Sequence, residues 1–277
     1  MISPDEWRAR GDFAELRGRR MFFRREGGGE PLLLIHGYPT SSWDWAKIWP
    51  ALVERYDVIA MDMLGFGESD KPRGHRYSIV EQTDLHDALL AKLGVGGYHV
   101  LAHDYGVSVG QELLARRAPL ESIAFLNGGL LPEMHRPQLI QKLLASPLGP
   151  LVARLSTERT FRRSLVPLFG TPPSDDEIHA FWTLASKNHG RTALARLVSY
   201  MAERRAQRER WVGALLGATL PLVVINGSVD PVSGDHVVQR LLELRPQTTA
   251  VRLAGIGHYP QFEAPRAVLD AYLAFRA

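Results

Sequence analysis

The chain has 277 residues, 45% hydrophobic and 23% charged, with 33 basic and 30 acidic side chains and no cysteine. That length suits one large α/β domain carrying an insertion, and the net charge of +3 is too slight to imply a nucleic acid or a membrane surface as partner. Without cysteine there is no disulfide, thiolate metal site or cysteine nucleophile; with no signal-like apolar core after Met1 and no run of roughly 18 apolar residues, the expectation is a soluble cytoplasmic protein.

Short apolar runs alternate with amphipathic stretches along the chain. Arg20-Met21-Phe22-Phe23-Arg24 reads as antiparallel edge structure. Leu32-Leu33-Leu34-Ile35 ends at His36-Gly37, and Val58-Ile59-Ala60-Met61 ends at Asp62 and a glycine turn. Helical patterns over 83–93 and 107–117 flank Val100-Leu101-Ala102. Ile123-Ala124-Phe125-Leu126, Leu222-Val223-Val224-Ile225 and Ala250-Val251-Arg252-Leu253 complete the series. Apolar runs without polar alternation are the pattern of strands buried on both faces, so a mostly parallel sheet with helices on both sides is predicted. From 131 to 217 the strand rhythm stops and prolines punctuate helical patterns. The reading is a core of 1–130 and 218–277 with a helical cap over the C-terminal ends of the strands, where open α/β sheets bind ligands.

The strand at Val100 runs into Ala102-His103-Asp104-Tyr105-Gly106-Val107-Ser108-Val109-Gly110. A nucleophile elbow needs a strand, a sharp turn at the nucleophile and a helix, with small residues two positions before and after. Ser108 fits a literal G-x-S-x-G, and Asp104 fits the same spacing between Ala102 and Gly106. The apolar strand ends at Ala102 or His103, which puts the turn on Asp104 and leaves Ser108 a turn inside the helix. Asp104 is therefore the expected nucleophile, with a helix N-cap as its plain alternative. His258, in Gly255-Ile256-Gly257-His258, follows the last strand as the expected base, and Asp230 follows the strand before it as its orienting acid. The backbone N–H groups of Tyr38 and Tyr105 form the expected oxyanion hole. His36 is expected to be a structural hydrogen-bonder, and 62–70 a structural turn.

His36-Gly37-Tyr38-Pro39, Asp62 to Ser69, His103-Asp104-Tyr105-Gly106, Asp230 and His258 resemble the α/β-hydrolase superfamily, in its epoxide hydrolase and haloalkane dehalogenase branch. Ser41-Ser42-Trp43-Asp44-Trp45, Gln111-Glu112-Leu113-Leu114, Asn127-Gly128-Gly129, His135-Arg136-Pro137 and Arg210-Trp211-Val212-Gly213 are similar to the mesoderm-specific transcript protein family. The resemblance implies the α/β-hydrolase fold and an alkyl-enzyme ester on a carboxylate nucleophile.

A carboxylate attacking an ester would give an anhydride, so Asp104 suits an sp³ carbon bearing oxygen or halide. Water activated by His258 would then hydrolyse the ester. Dehalogenases of that branch grip halide with a Trp after the nucleophile and an Asn or second Trp; here Tyr105 and Tyr38 stand in those places. Epoxide hydrolases use lid tyrosines as proton donors, and this lid holds one, Tyr200. Trp182, His135, Lys187 and His189 are further pocket candidates. The expected substrate is a small apolar organic molecule and the expected reaction epoxide hydrolysis. Dehalogenation, ester or lactone hydrolysis through Ser108, and non-catalytic ligand binding are the rivals. No cofactor or metal is expected, and the charge run 203–210 reads as a solvated helix face.

Overall fold

The structure, a computed structural model, describes residues 2–277. Its strands are β1 (Asp12–Leu16), β2 (Arg19–Gly27), β3 (Glu30–Ile35), β4 (Tyr56–Met61), β5 (Tyr98–Ala102), β6 (Leu120–Phe125), β7 (Leu222–Gly227) and β8 (Thr249–Leu253). They form one sheet in the order β1-β2-β4-β3-β5-β6-β7-β8. β1 and β2 are joined through Arg17 and Gly18, both at positive φ, the conformation a tight hairpin turn requires. β2 runs antiparallel to both neighbours, and every pairing from β4 to β8 is parallel. The expected edge element at Arg20 is thus an inner strand, and β1 is the edge.

Every residue of β4, β5 and β7 is buried, as the apolar runs 58–61, 100–102 and 222–225 within them require. β8 differs: it closes the sheet's far edge and its residues are exposed or half-buried. The helix Ile79–Lys92 starts earlier than its apolar pattern, because the Ser78 side chain accepts the N–H of Glu81 and caps it. The parallel strands all point the same way, so His36, Asp104, Asn127, Asp230 and His258 follow strand ends on one rim of the sheet.

Between β6 and β7 the chain is helical throughout and forms a lid over that rim. Its last helix, Arg208–Leu216, packs along the core helix Tyr105–Ala115. Buried Glu112 is the bolt between them, accepting from Trp211 Nε1 at 2.6 Å and from Arg210 Nε at 2.9 Å. The reading of 203–210 as a solvated face holds for Arg205, Arg208, Glu209 and Arg210, which are exposed, and fails at Arg204, which is buried. Glu203 accepts the N–H of Ile79 at 2.9 Å, Arg204 is buried against the carbonyl of Gly129, and Arg210 pairs with Glu112. Among the described residues no helix is long and apolar enough to cross a membrane.

Candidate active site

Asp104 sits between β5 and the helix Tyr105–Ala115 with φ 46° and ψ −107°. A non-glycine residue in that region is strained and needs its surroundings to hold it there. Gly106 lets the turn close: a Cβ on it would lie 2.4 Å from the carbonyl oxygen of Ile35. The Asp104 side chain makes no hydrogen bond to the helix it precedes, so it is not spent as an N-cap. Ser108 lies inside the helix, fully buried, its Oγ without a partner.

The N–H of Tyr38 donates to Asp104 Oδ2 at 2.8 Å. The loop bearing it passes directly beneath the carboxylate at Gly37, where a Cβ would approach Asp104 Cβ to 2.8 Å. Tyr105, the other expected donor, makes no hydrogen bond to that carboxylate. His36 Nδ1 donates to the Gly37 carbonyl at 2.8 Å and its Nε2 accepts the N–H of Met63 at 3.0 Å, tying this loop to the 62–70 turn, which is a structural arrangement. Asp62 organises its turn by accepting from Ser42 and Glu68 backbone N–H groups.

His258 stands between two carboxylates. Its Nδ1 donates to Asp230 Oδ2 at 2.7 Å and its Nε2 lies 3.5 Å from Asp104 Oδ1. Burial by itself would lower the imidazole pKa, but the Asp230 and Asp104 charges outweigh it and raise it to about 10. Burial likewise pushes the two carboxyls up, and the imidazolium overrides it. Asp230 is lowered to about 2, and Asp104, also facing His103 and the Tyr38 N–H, is held well below the carboxylate range. The resting site is a buried anion–cation–anion row.

Several residues that hold this row carry no signal of their own in the sequence. Asn127 at the end of β6 donates to Asp230 Oδ2 at 2.9 Å, while its Oδ1 accepts the N–H of Gly227 at 2.6 Å. Ser233 donates to the same Asp230 oxygen at 2.7 Å, and the Val232 N–H to the other at 2.8 Å. His103 Nε2 donates to the backbone carbonyl of His258 at 2.7 Å, tying the histidine's loop to the elbow.

A cavity of about 80 Å³, measured to the centre of a water-sized sphere, opens above Asp104 and His258. Its wall is mostly lid, with Leu144, Phe161, Leu165, Trp182 and Leu194, and includes the Tyr38 side chain from the core. Tyr200 is buried beside it, its ring 5.1 Å from that of Tyr105 and 6.0 Å from that of Tyr38. The guanidinium of Arg204 lies 5.8 Å from the Tyr200 ring centre with no carboxylate bonded to it. His135 is outside the cavity wall, its pKa lowered to about 4 by burial and then by Arg204. Lys187 and His189 also lie outside it. Lys187 pairs with Glu68, and the His189 ring lies 3.2 Å from the Arg73 guanidinium. Among the described residues no cluster of three or more His, Asp or Glu is placed to hold a metal ion.

A family model described as alpha/beta hydrolase fold matches residues 30–265. The chain is 42% identical to the human mesoderm-specific transcript homolog protein, over 99% of this chain and 88% of that one. It is also 42% identical to a putative hydrolase, LipZ, of Mycobacterium tuberculosis, over 99% of both. A haloalkane dehalogenase of Sphingobium indicum is 30% identical over 95% of this chain and 94% of that one. Among solved structures, the epoxide hydrolase CorEH superposes with a TM-score of 0.80 at 23% identity, over 96% of this chain and 97% of that one. The haloalkane dehalogenase DbeA of Bradyrhizobium elkani superposes with a TM-score of 0.82 at 23% identity, over 95% and 97%. The elbow, the sheet and these full-length similarities together place the chain in the alpha/beta hydrolase fold family, alongside the mesoderm-specific transcript proteins.

Proposed function

We propose that this hydrolase opens epoxides to diols through a covalent ester on Asp104. The observation that carries the reading is the carboxylate itself: strained at the elbow, free of capping duty, one oxygen on the Tyr38 N–H and the other toward His258 and the cavity. Asp104 Oδ1 attacks a ring carbon and the C–O bond breaks. The freed alkoxide takes a proton from Tyr38, which is in the cavity wall, or from Tyr200, whose ring lies 6.0 Å from that of Tyr38, and His258 returns that proton to the phenol. The ester and a neutral imidazole result. His258 is then the base for water, which attacks the Asp104 carbonyl carbon while the Tyr38 N–H holds the oxyanion on Oδ2. Collapse releases the diol and restores the carboxylate and the imidazolium. Asp230 keeps the imidazole oriented and balances its charge throughout.

Dehalogenation is the second reading, favoured by the Sphingobium relative. It would lack the indole donor after the nucleophile, where Tyr105 stands. A single turnover in ¹⁸O-water tests the mechanism. The first diol should be unlabelled and the label should appear in Asp104; immediate label in the diol would mean direct attack by water. A panel of epoxides, haloalkanes and aryl esters, run beside Asp104→Ala and Ser108→Ala, tests the substrate class. Diol formation lost only in Asp104→Ala is expected; ester cleavage lost only in Ser108→Ala would overturn the reading.

A further inference from the structure

Large apolar side chains on the surface of this protein are concentrated in one place. Among the described residues, every leucine that is more than a third exposed lies in a stretch of the lid: Leu139 at 72%, Leu143 at 39%, Leu148 at 61%, Leu151 at 55% and Leu155 at 67%. They lie on two adjacent short helices that pack against each other, Leu139–Leu144 and Gly149–Leu155, with Leu148 as the N-cap residue of the second. Spacings of four and of three then four put each set on one stripe of its helix.

The opposite stripes of the same helices face the catalytic cavity. Ile140, Gln141 and Leu144 from the first helix, and Ala153 with the following Ser156 from the second, are in its wall. The exposed stripe is therefore the outer surface of the cavity wall and not a remote patch. Its charge is one-sided as well. Residues 136–157 contain Arg136, Lys142 and Arg154 and no aspartate or glutamate, and all three cations are exposed and without an ion-pair partner among the described residues. The near-even charge of the whole chain averages this local excess away.

We propose that this face of the lid seats on an anionic lipid surface and that apolar substrate passes from that surface into the cavity behind it. Leucines on one stripe with cations around them are the composition that holds short helices at a membrane interface, through apolar burial together with attraction to anionic headgroups. The route for the substrate rests on the proposed reaction; the docking itself does not.

Flotation with phosphatidylcholine vesicles, with and without phosphatidylglycerol, tests the docking without any substrate present. The wild-type protein should float with the anionic vesicles and be released by salt. The triple variant Leu148→Ser, Leu151→Ser, Leu155→Ser should lower the partition by about tenfold or more. Lys142→Glu with Arg154→Glu should abolish the preference for anionic lipid. Neither set touches the cavity wall, so turnover of a water-soluble epoxide should stay at wild-type level while turnover of a vesicle-dissolved one falls with binding. Absence of wild-type flotation, or flotation indifferent to both sets of substitutions, would overturn the proposal. A dimer seen by light scattering, lost in the triple variant and unaccompanied by vesicle binding, would also overturn it by giving the face to a second copy of the chain.

Discussion

Replacing Asp230 by asparagine preserves shape and removes one negative charge 2.7 Å from His258 Nδ1. The bonds to the carboxylate dictate how the amide must sit. Oδ2 accepts from His258, Asn127 and Ser233, so the amide oxygen has to stay there. Its NH₂ then faces the Val232 N–H that Oδ1 accepts at present. One hydrogen bond is lost and two donors meet, a cost of about 1–3 kcal/mol in stability. The larger effect is chemical. His258 loses the neighbour most responsible for raising its pKa to about 10, and the imidazolium formed during ester hydrolysis loses its counter-charge. The same replacement behind the histidine of a serine protease lowers turnover by about 10⁴. Alkylation of Asp104 needs no base, so the second step alone should slow, by about 10²–10⁴. Intact-protein mass spectrometry after mixing with epoxide should show an adduct accumulating on the variant and only transiently on the wild type. Turnover within about threefold of wild type with no adduct would refute the role given to Asp230.

Tyr38→Phe and Tyr200→Phe together should slow adduct formation by about 10²-fold or more while leaving adduct hydrolysis unchanged, measured by rapid quench; an unchanged first step would move proton donation elsewhere. Gly37→Ala should push the loop off Asp104 and displace the Tyr38 N–H, lowering kcat by about 10²-fold with a smaller effect on KM; unaltered kcat would mean that the N–H is not needed. Thermal melts across pH should fall on both flanks. His258 has a folded pKa raised to about 10, so its stabilisation is complete below about 6.5 and lost as pH rises through about 10. Burial lowers His86 to about 4 and, with His258 nearby, His103 to about 3, so their contribution is lost as pH falls below about 6.5. A Tm that holds steady from neutral to pH of about 4 would contradict this.

The sheet was legible because parallel strands buried on both faces leave short apolar runs, and β4, β5 and β7 each contain one. The elbow's register was legible for a related reason: the strand had to stop where polar turn residues began, and that put the bend on Asp104. What held the site together was not legible. Asn127 bonds across 103 positions to Asp230 and across 100 to Gly227, and nothing local in Asn127-Gly128-Gly129 marks either contact. Within the run 203–210, most of which is exposed as expected, Arg204 is the charge that the pattern misplaces. Arg204, in a run of charges, packs where any Cβ on Gly129 would collide with it. Glu203 and Arg210 are drawn to core partners that sequence distance hides.

The lid leaves the sheet after β6 and returns at β7, and these strands are immediate neighbours, with Ile123 opposite Leu222. Because β6 and β7 run parallel, the insertion leaves at the C-terminal end of one and returns at the N-terminal end of the other, so both of its ends are fixed by the sheet. A detour whose two ends are both fixed by the sheet can be lengthened, shortened or exchanged at little entropic cost, about 0.6 kcal/mol for each doubling of its length. The row of Asp104, His258 and Asp230 lies outside the exchanged segment. A replacement lid would need to supply a partner for Glu112 and a buried group against Gly129; beyond that, its helices are free to present a new cavity wall to the same chemistry. Substrate range in such a scaffold can therefore diverge by trading whole lids while the carboxylate, the imidazole and their supports stay in place.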